Sequence, residues 1–155
     1  MATTIIPSNL IVSITESYSV NDVNYGNTMT QTFLNNSKVS QRVMSIAGKT
    51  GEGAGWTDIL ALSTVDGQGQ VVKLSYQYFR ITNLDTTNTL NLRVYNGSDY
   101  VALQVPPAST QLFMDAGIDS PVDTGTVTFA DIQAIAGQSS STTEAIDIEF
   151  IMVTT

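Results

Sequence analysis

The sequence predicts an all-β fold: a single antiparallel β-sandwich of jelly-roll type preceded by a short N-terminal arm. Three observations lead there. Thr, Val and Ile supply 48 of the 155 residues, and side chains branched at Cβ suit a pleated sheet better than a helix. Glu and Lys, both good helix formers, number only four and three. Short apolar segments recur at regular spacing between turn-forming residues, the rhythm of a sandwich or barrel. No longer internal repeat is visible, which disfavours a propeller or solenoid.

Residues 1–9, MATTIIPSN, are interrupted by Pro7 and have no pairing partner in sequence. They read as an arm whose apolar Ile5 and Ile6 seek a neighbour, while residues 10–155 form the sandwich domain. From Leu10 to Val20, Leu10, Val12, Ile14, Glu16 and Tyr18 fall on one face, mostly apolar, as in a half-buried strand. Asn21 to Asn27 is polar and turn-like. Thr28 to Leu34 and Lys38 to Ile46 read as a hairpin joined at Asn35-Asn36-Ser37, residues that tolerate left-handed backbone angles.

The glycine-dense run Gly48 to Gly55 is a loop. Thr57 to Val65 is a strand, Asp66 to Gln70 a turn, and Val71 to Leu84 a long strand. Next, Leu90, Leu92 and Val94 alternate with polar residues, Asn96-Gly97 turns the chain, and Val101, Leu103 and Val105 alternate again. This is a hairpin whose inward face those six residues make. Pro106-Pro107 ends it, because proline donates no ladder hydrogen bond. Thr110 to Met114 is a strand and Asp115 to Gly125 a loop. Thr126 to Ala136 is a strand by its alternation, although FADIQAIA also fits a short helix. Gly137 to Thr143 is a flexible connector, and Ala145 to Val153 a strand with Ile146, Ile148, Phe150 and Met152 facing inward.

Composition removes several kinds of chemistry. The chain has no Cys and no His, which excludes disulfides, thiolate metal sites, cysteine nucleophiles and Ser-His-Asp hydrolysis. A formal charge of −8, with three Lys and three Arg scattered along the chain, provides no basic patch for nucleic acid. No stretch approaches the length and hydrophobicity of a membrane-spanning helix, and the first ten residues lack the basic leader of a secretion signal, so neither membrane insertion nor export is expected. The uncharged polar residues, 21 Thr, 15 Ser, 10 Asn and 9 Gln, imply a neutral, hydroxyl-rich surface.

The remaining motifs are partial. Ala47-Gly48-Lys49-Thr50 ends like a phosphate-binding loop, but Val43 stands where that motif needs its first glycine. Asp123-Thr124-Gly125 matches the tripeptide of aspartic proteases without an apolar strand feeding the Asp, so a turn is expected there. Asp115, Asp119 and Asp123 recur every fourth residue and are weak candidates for a hard cation, lacking the usual alternating order; no metal or other cofactor is expected. Tyr76, Tyr78, Phe79, Tyr95 and Tyr100, with Trp56 beside the glycine-rich loop, suit either packing and association or stacking on sugars. Trp56 joins Ile5 and Ile6 as an interaction candidate.

The run YFRITNLDTTNTLNLRVYNGSDYVALQVPPAST, Tyr78 to Thr110, resembles small structural proteins of tailed bacteriophages, and the closing DIEFIMV and the Thr/Ser/Asn-rich composition are similar in style. The resemblance covers about a third of the chain. It implies a non-enzymatic head decoration or cement protein: a symmetric homo-oligomer, a trimer by preference, that binds the major capsid protein lattice and resides in the virion after assembly in the host cytoplasm. The competing expectation is a tail, fibre or lectin-like module that binds host glycans.

Overall fold

A computed structural model of the chain describes residues 6–49, 55–62, 76–97, 99–114, 117–119 and 129–155. All regular elements among the described residues are β-strands, paired antiparallel, as expected. They are β1 (Ser8–Val20), β2 (Val23–Asn36), β3 (Lys38–Ile46), β4 (Thr57–Ala61), β5 (Tyr76–Asn83), β6 (Leu90–Tyr95), β7 (Tyr100–Val105), β8 (Thr110–Met114), β9 (Gly117–Asp119), β10 (Phe129–Asp131), β11 (Ala134–Ser139) and β12 (Ile146–Thr154). The chain divides after Lys38 into two compact units.

The second unit is the sandwich. Its two four-stranded sheets run β3-β12-β5-β8 and β4-β11-β6-β7. Numbered in chain order, its first strand neighbours the eighth, the second the seventh, the third the sixth and the fourth the fifth. A long hairpin wrapped around a barrel axis gives this order, and it defines a jelly roll. The short β9–β10 ribbon is inserted between the sixth and seventh strands.

Alternation along each strand builds the core. Phe79 and Ile81 on β5, Leu90, Leu92 and Val94 on β6, Ile135 on β11 and Ile148 and Phe150 on β12 are fully or almost fully buried in one apolar cluster drawn from both sheets. Phe79 packs between Phe113 and Phe150, with ring centroids 6.1 and 5.8 Å away. The β6–β7 hairpin has the expected register, Leu90 opposite Val105, Leu92 opposite Leu103 and Val94 opposite Val101. Leu103 and Val101 are only half-buried, because β7 is an edge strand.

Asn83 ties the connections together. Fully buried, its Nδ2 donates to the carbonyls of Asn88, Val105 and Pro106 at 2.9, 3.1 and 3.2 Å, while its Oδ1 accepts from the Asp85 amide at 3.1 Å. Asp85 in turn accepts the amides of Thr87 and Asn88 at 2.7 and 2.6 Å. These two amide donors, Asn88 foremost, hold its carboxyl below the usual Asp range.

Several expectations need correction. Thr28–Leu34 and Lys38–Ile46 do not form a hairpin. Instead β2 pairs with β1, and β3 pairs with β12. The real reversal is Asn21-Asp22, with φ of 51° and 63°, a two-residue turn with both central residues left-handed, whose twist matches the strands it joins. Asn35, at φ 60°, redirects the chain without pairing its flanks, and the Asn36 side chain reaches back to the carbonyls of Ser8 and Phe33 at 3.1 and 2.8 Å. Second, Gly137, Gln138 and Ser139 are not a connector but the buried end of β11. A Cβ on Gly137 would lie 2.9 Å from Ile59 Cδ1 and 3.1 Å from Leu90 Cδ1, so the strand needs glycine where its backbone meets the core. The strand preference for FADIQAIA holds in β10 and β11. Part of the loop expected over Asp115–Gly125 is strand β9.

The first unit is the β1–β2 ribbon. Directly opposed residues share a face. One face therefore carries Leu10/Phe33, Val12/Gln31, Ile14/Met29, Glu16/Asn27, Tyr18/Tyr25 and Val20/Val23, mostly apolar, and the other Ile11/Thr32, Ser13/Thr30, Thr15/Thr28, Ser17/Gly26 and Ser19/Asn24, mostly small and hydroxyl-bearing. On the polar face, the hydroxyls of Ser13 and Thr30, and of Thr15 and Thr28, are each 3.2 Å apart. Gly26 is required where a Cβ would approach the Glu16 carbonyl oxygen to 2.8 Å.

Candidate functional site

Strands β6 and β7 position an aromatic and cationic group on the solvent side of their sheet. Along β6, Leu92 and Val94 point inward, so Arg93 and Tyr95 point outward. Tyr95 pairs with Tyr100 across the hairpin, and Arg93 pairs with Ala102 on one side and Ala136 on the other. These small neighbours leave room for the Arg93 side chain to lie along the surface. Its guanidinium carbon sits 4.1 Å from the Trp56 ring centre and 4.5 Å from that of Tyr100, a cation held over two π faces.

Hydrogen bonds tie Asn96 to Asp99 and Gln133 at the end of β6. Asn96 N donates to Asp99 O at 3.0 Å and Asn96 Oδ1 accepts the Asp99 amide at 2.9 Å, while Gln133 Nε2 donates to Asn96 O at 2.9 Å. Tyr95 Oη donates to Gly97 O at 2.5 Å. Gly97, at φ 100°, has the Gln133 amide where a Cβ would stand. The platform of Trp56, Arg93, Tyr95 and Tyr100 thus offers flat aromatic surface and one delocalised cation. It suits packing or stacking contacts.

On the opposite sheet, Glu149 bridges three strands: it accepts from Gln41 Nε2 and from Arg80 Nη2, both at 2.7 Å. Thr82 and Thr110 extend this polar row at 3.1 Å. Val39 and Val43, 70% and 66% exposed, flank it on the edge strand β3.

Comparison with known proteins finds no matching family model, no matching curated relative and no matching solved structure.

Of the residues singled out in the sequence, Trp56 belongs to the cation–π group. Ile6, 84% exposed, precedes β1. Ile5, Asp115 and Asp123 lie outside the described residues, as does Thr50; Asp119 is a backbone member of β9. Among the described residues, no three acidic side chains gather as a metal site would require. In the partial phosphate-loop motif, the Lys49 amide donates to Ser141 O at 2.7 Å, and a Cβ on Gly48 would lie 2.9 Å from the Thr143 carbonyl carbon. That backbone serves to pin β3 to the segment before β12 rather than to open an anion cradle.

Sequence reasoning found the apolar face of β1 but passed over its continuation on β2. Its signal was present: Val23, Tyr25, Met29 and Phe33 keep the two-residue period of one strand face.

Proposed function

We propose that the chain is a non-enzymatic structural protein of a virion, a capsid decoration or cement protein that stabilises a tailed-phage head by binding the major capsid protein lattice. The eight-strand jelly-roll wrap carries this reading, since viral capsid domains use that architecture repeatedly. Fold alone does not fix function. The reading therefore also leans on the phage-like run Tyr78 to Thr110, on the neutral hydroxyl-rich composition, and on exposed apolar side chains in the β1–β2 ribbon and at Ile6 that contact with a lattice or a neighbouring subunit would bury.

Lectins share the architecture, and the Trp56 platform invites a glycan reading. Arg93 favours the structural role, because its guanidinium lies on ring faces of Trp56 and Tyr100 that a sugar would stack against.

Co-sedimentation with expanded phage heads stripped of their decoration protein tests the proposal. Saturable binding in fixed ratio to the lattice, with heads made more resistant to heat, is the expected result. Glycan-array binding that Trp56→Ala abolishes, with no attachment to heads, would replace it with the lectin reading.

A further inference from the structure

The β1–β2 ribbon carries a mostly apolar face whose turn-proximal residues are exposed. Tyr18, Val20, Val23, Tyr25 and Met29 are 46–56% exposed, and Tyr18 stacks on Tyr25 with ring centres 5.4 Å apart. A two-stranded ribbon is marginally stable at best in water. Among the described residues it forms a sheet of two strands, so the outer edges of both β1 and β2 also offer unpaired backbone groups. Between Ser8 and Asn36 the only charged residues are Glu16 and Asp22, although the chain as a whole is at −8. A basic partner would find little to hold here. A second copy, by contrast, presents an equally apolar and nearly uncharged face.

We infer that this face is covered by the same face of further copies of the chain, three ribbons closing into a six-stranded antiparallel barrel. Strand direction permits the closure: around a three-fold axis, β1 of one copy lies beside β2 of the next, and up and down strands continue to alternate. The mostly apolar face, with Asn27 and Gln31 among it, then fills the interior, the Ser and Thr hydroxyls and Ile11 face water, and no strand edge remains. Two copies packed face to face satisfy less. The face spanning Leu10–Val20 is about 36 Å by 10 Å, so such a pair covers about 700 Å² in total, short of the ~1,200 Å² at which stable interfaces begin, and its edges stay open.

Glu16, opposite Asn27, is the one charge on the apolar face. Three-fold closure brings three copies of it toward the axis, where like charges repel. Removing that charge should strengthen association.

The inference rests on the proposed structural role and takes up the homo-oligomer that the resemblance implies; its test uses no capsid, so failure to bind heads and failure to self-associate are distinguishable. Sedimentation equilibrium across micromolar concentrations should give three times the 16.6 kDa chain mass. Tyr25→Asp and Met29→Asp should reduce it to monomer, while Thr28→Asp and Thr30→Asp on the hydroxyl face leave the trimer. Glu16→Gln should lower the dissociation concentration several-fold. Trp56 fluorescence melts of each variant verify that the jelly roll is still folded. A monomer or dimer mass for the unsubstituted chain overturns the inference, as does a trimer that survives both Tyr25→Asp and Met29→Asp.

Discussion

The side-chain amide of Asn83 lies 3.1 Å from the Val105 carbonyl, joining the end of β5 to the end of β7, 22 residues further on. Neither strand pairs with the other in a sheet. The contact therefore links the two layers through a polar group inside the core. Asn83→Leu keeps the branched shape but leaves three buried or part-buried carbonyls without their donor, and should cost about 2–3 kcal/mol. Urea unfolding reads the change; a loss under about 0.5 kcal/mol would mean that water replaces the amide without penalty.

Truncating Leu92 and truncating Leu103 should differ. Leu92 is fully buried and Leu103 half-buried. Leu92→Ala is expected to lose about 3–5 kcal/mol and Leu103→Ala about 1–2 kcal/mol, in proportion to the cavity each leaves. Equal losses would place β7 deeper than an edge strand.

The turn after Pro106-Pro107 holds Ala108 at φ 52°, a left-handed conformation unfavourable for a residue with a Cβ. Its amide donates to Asp85 O at 2.9 Å, so the geometry is enforced from outside the turn. Ala108→Gly should raise stability by up to about 1 kcal/mol despite the greater freedom of glycine in the unfolded chain. A lower midpoint in thermal unfolding would show that the strain is not there.

The Asp85 carboxylate provides a pH signature. Its pKa is lowered in the folded state, chiefly by the Asn88 and Thr87 amides. Its contribution is therefore present above the ordinary value of 3.8 and is lost as pH falls through the lower folded value. Asp85→Asn should be less stable than the unsubstituted protein at pH 7, and the gap should narrow as the solution is acidified past pH 4. A gap constant with pH would show that the ionised form is not the one the amides prefer.

How far the fold could be read depended on whether a signal was local. The β6–β7 hairpin and β12 were legible because strict alternation met a clear stop, Asn96-Gly97 in one case and the Ser/Thr run before Ile146 in the other. The β1–β2 ribbon was not: Asn21-Asp22 lacks the glycine that marks such turns, while Asn35-Asn36-Ser37 imitates one. Gly137-Gln138-Ser139 has the composition of a loop and is a buried strand because β6 supplies a ladder partner for each of the three residues and β4 one for Gly137, information that resides in other strands. The Trp56–Arg93 contact likewise depends on the register between β4, β11 and β6, which no spacing in the sequence reveals.

The placement of β12 sets the order in which the molecule can be made. This strand occupies the interior of its sheet, between β3 and β5. Until the ribosome has released residues 146–154, β3 has no neighbour in the sandwich and the core lacks Ile146, Ile148, Phe150 and Met152. Until β12 emerges, the sandwich must carry exposed apolar strands. Folding then waits on the most distant pairings, which are slow to form because so much chain must be closed before they stabilise anything. The acidic, hydroxyl-rich surface has its first use in that interval, keeping unfinished chains apart.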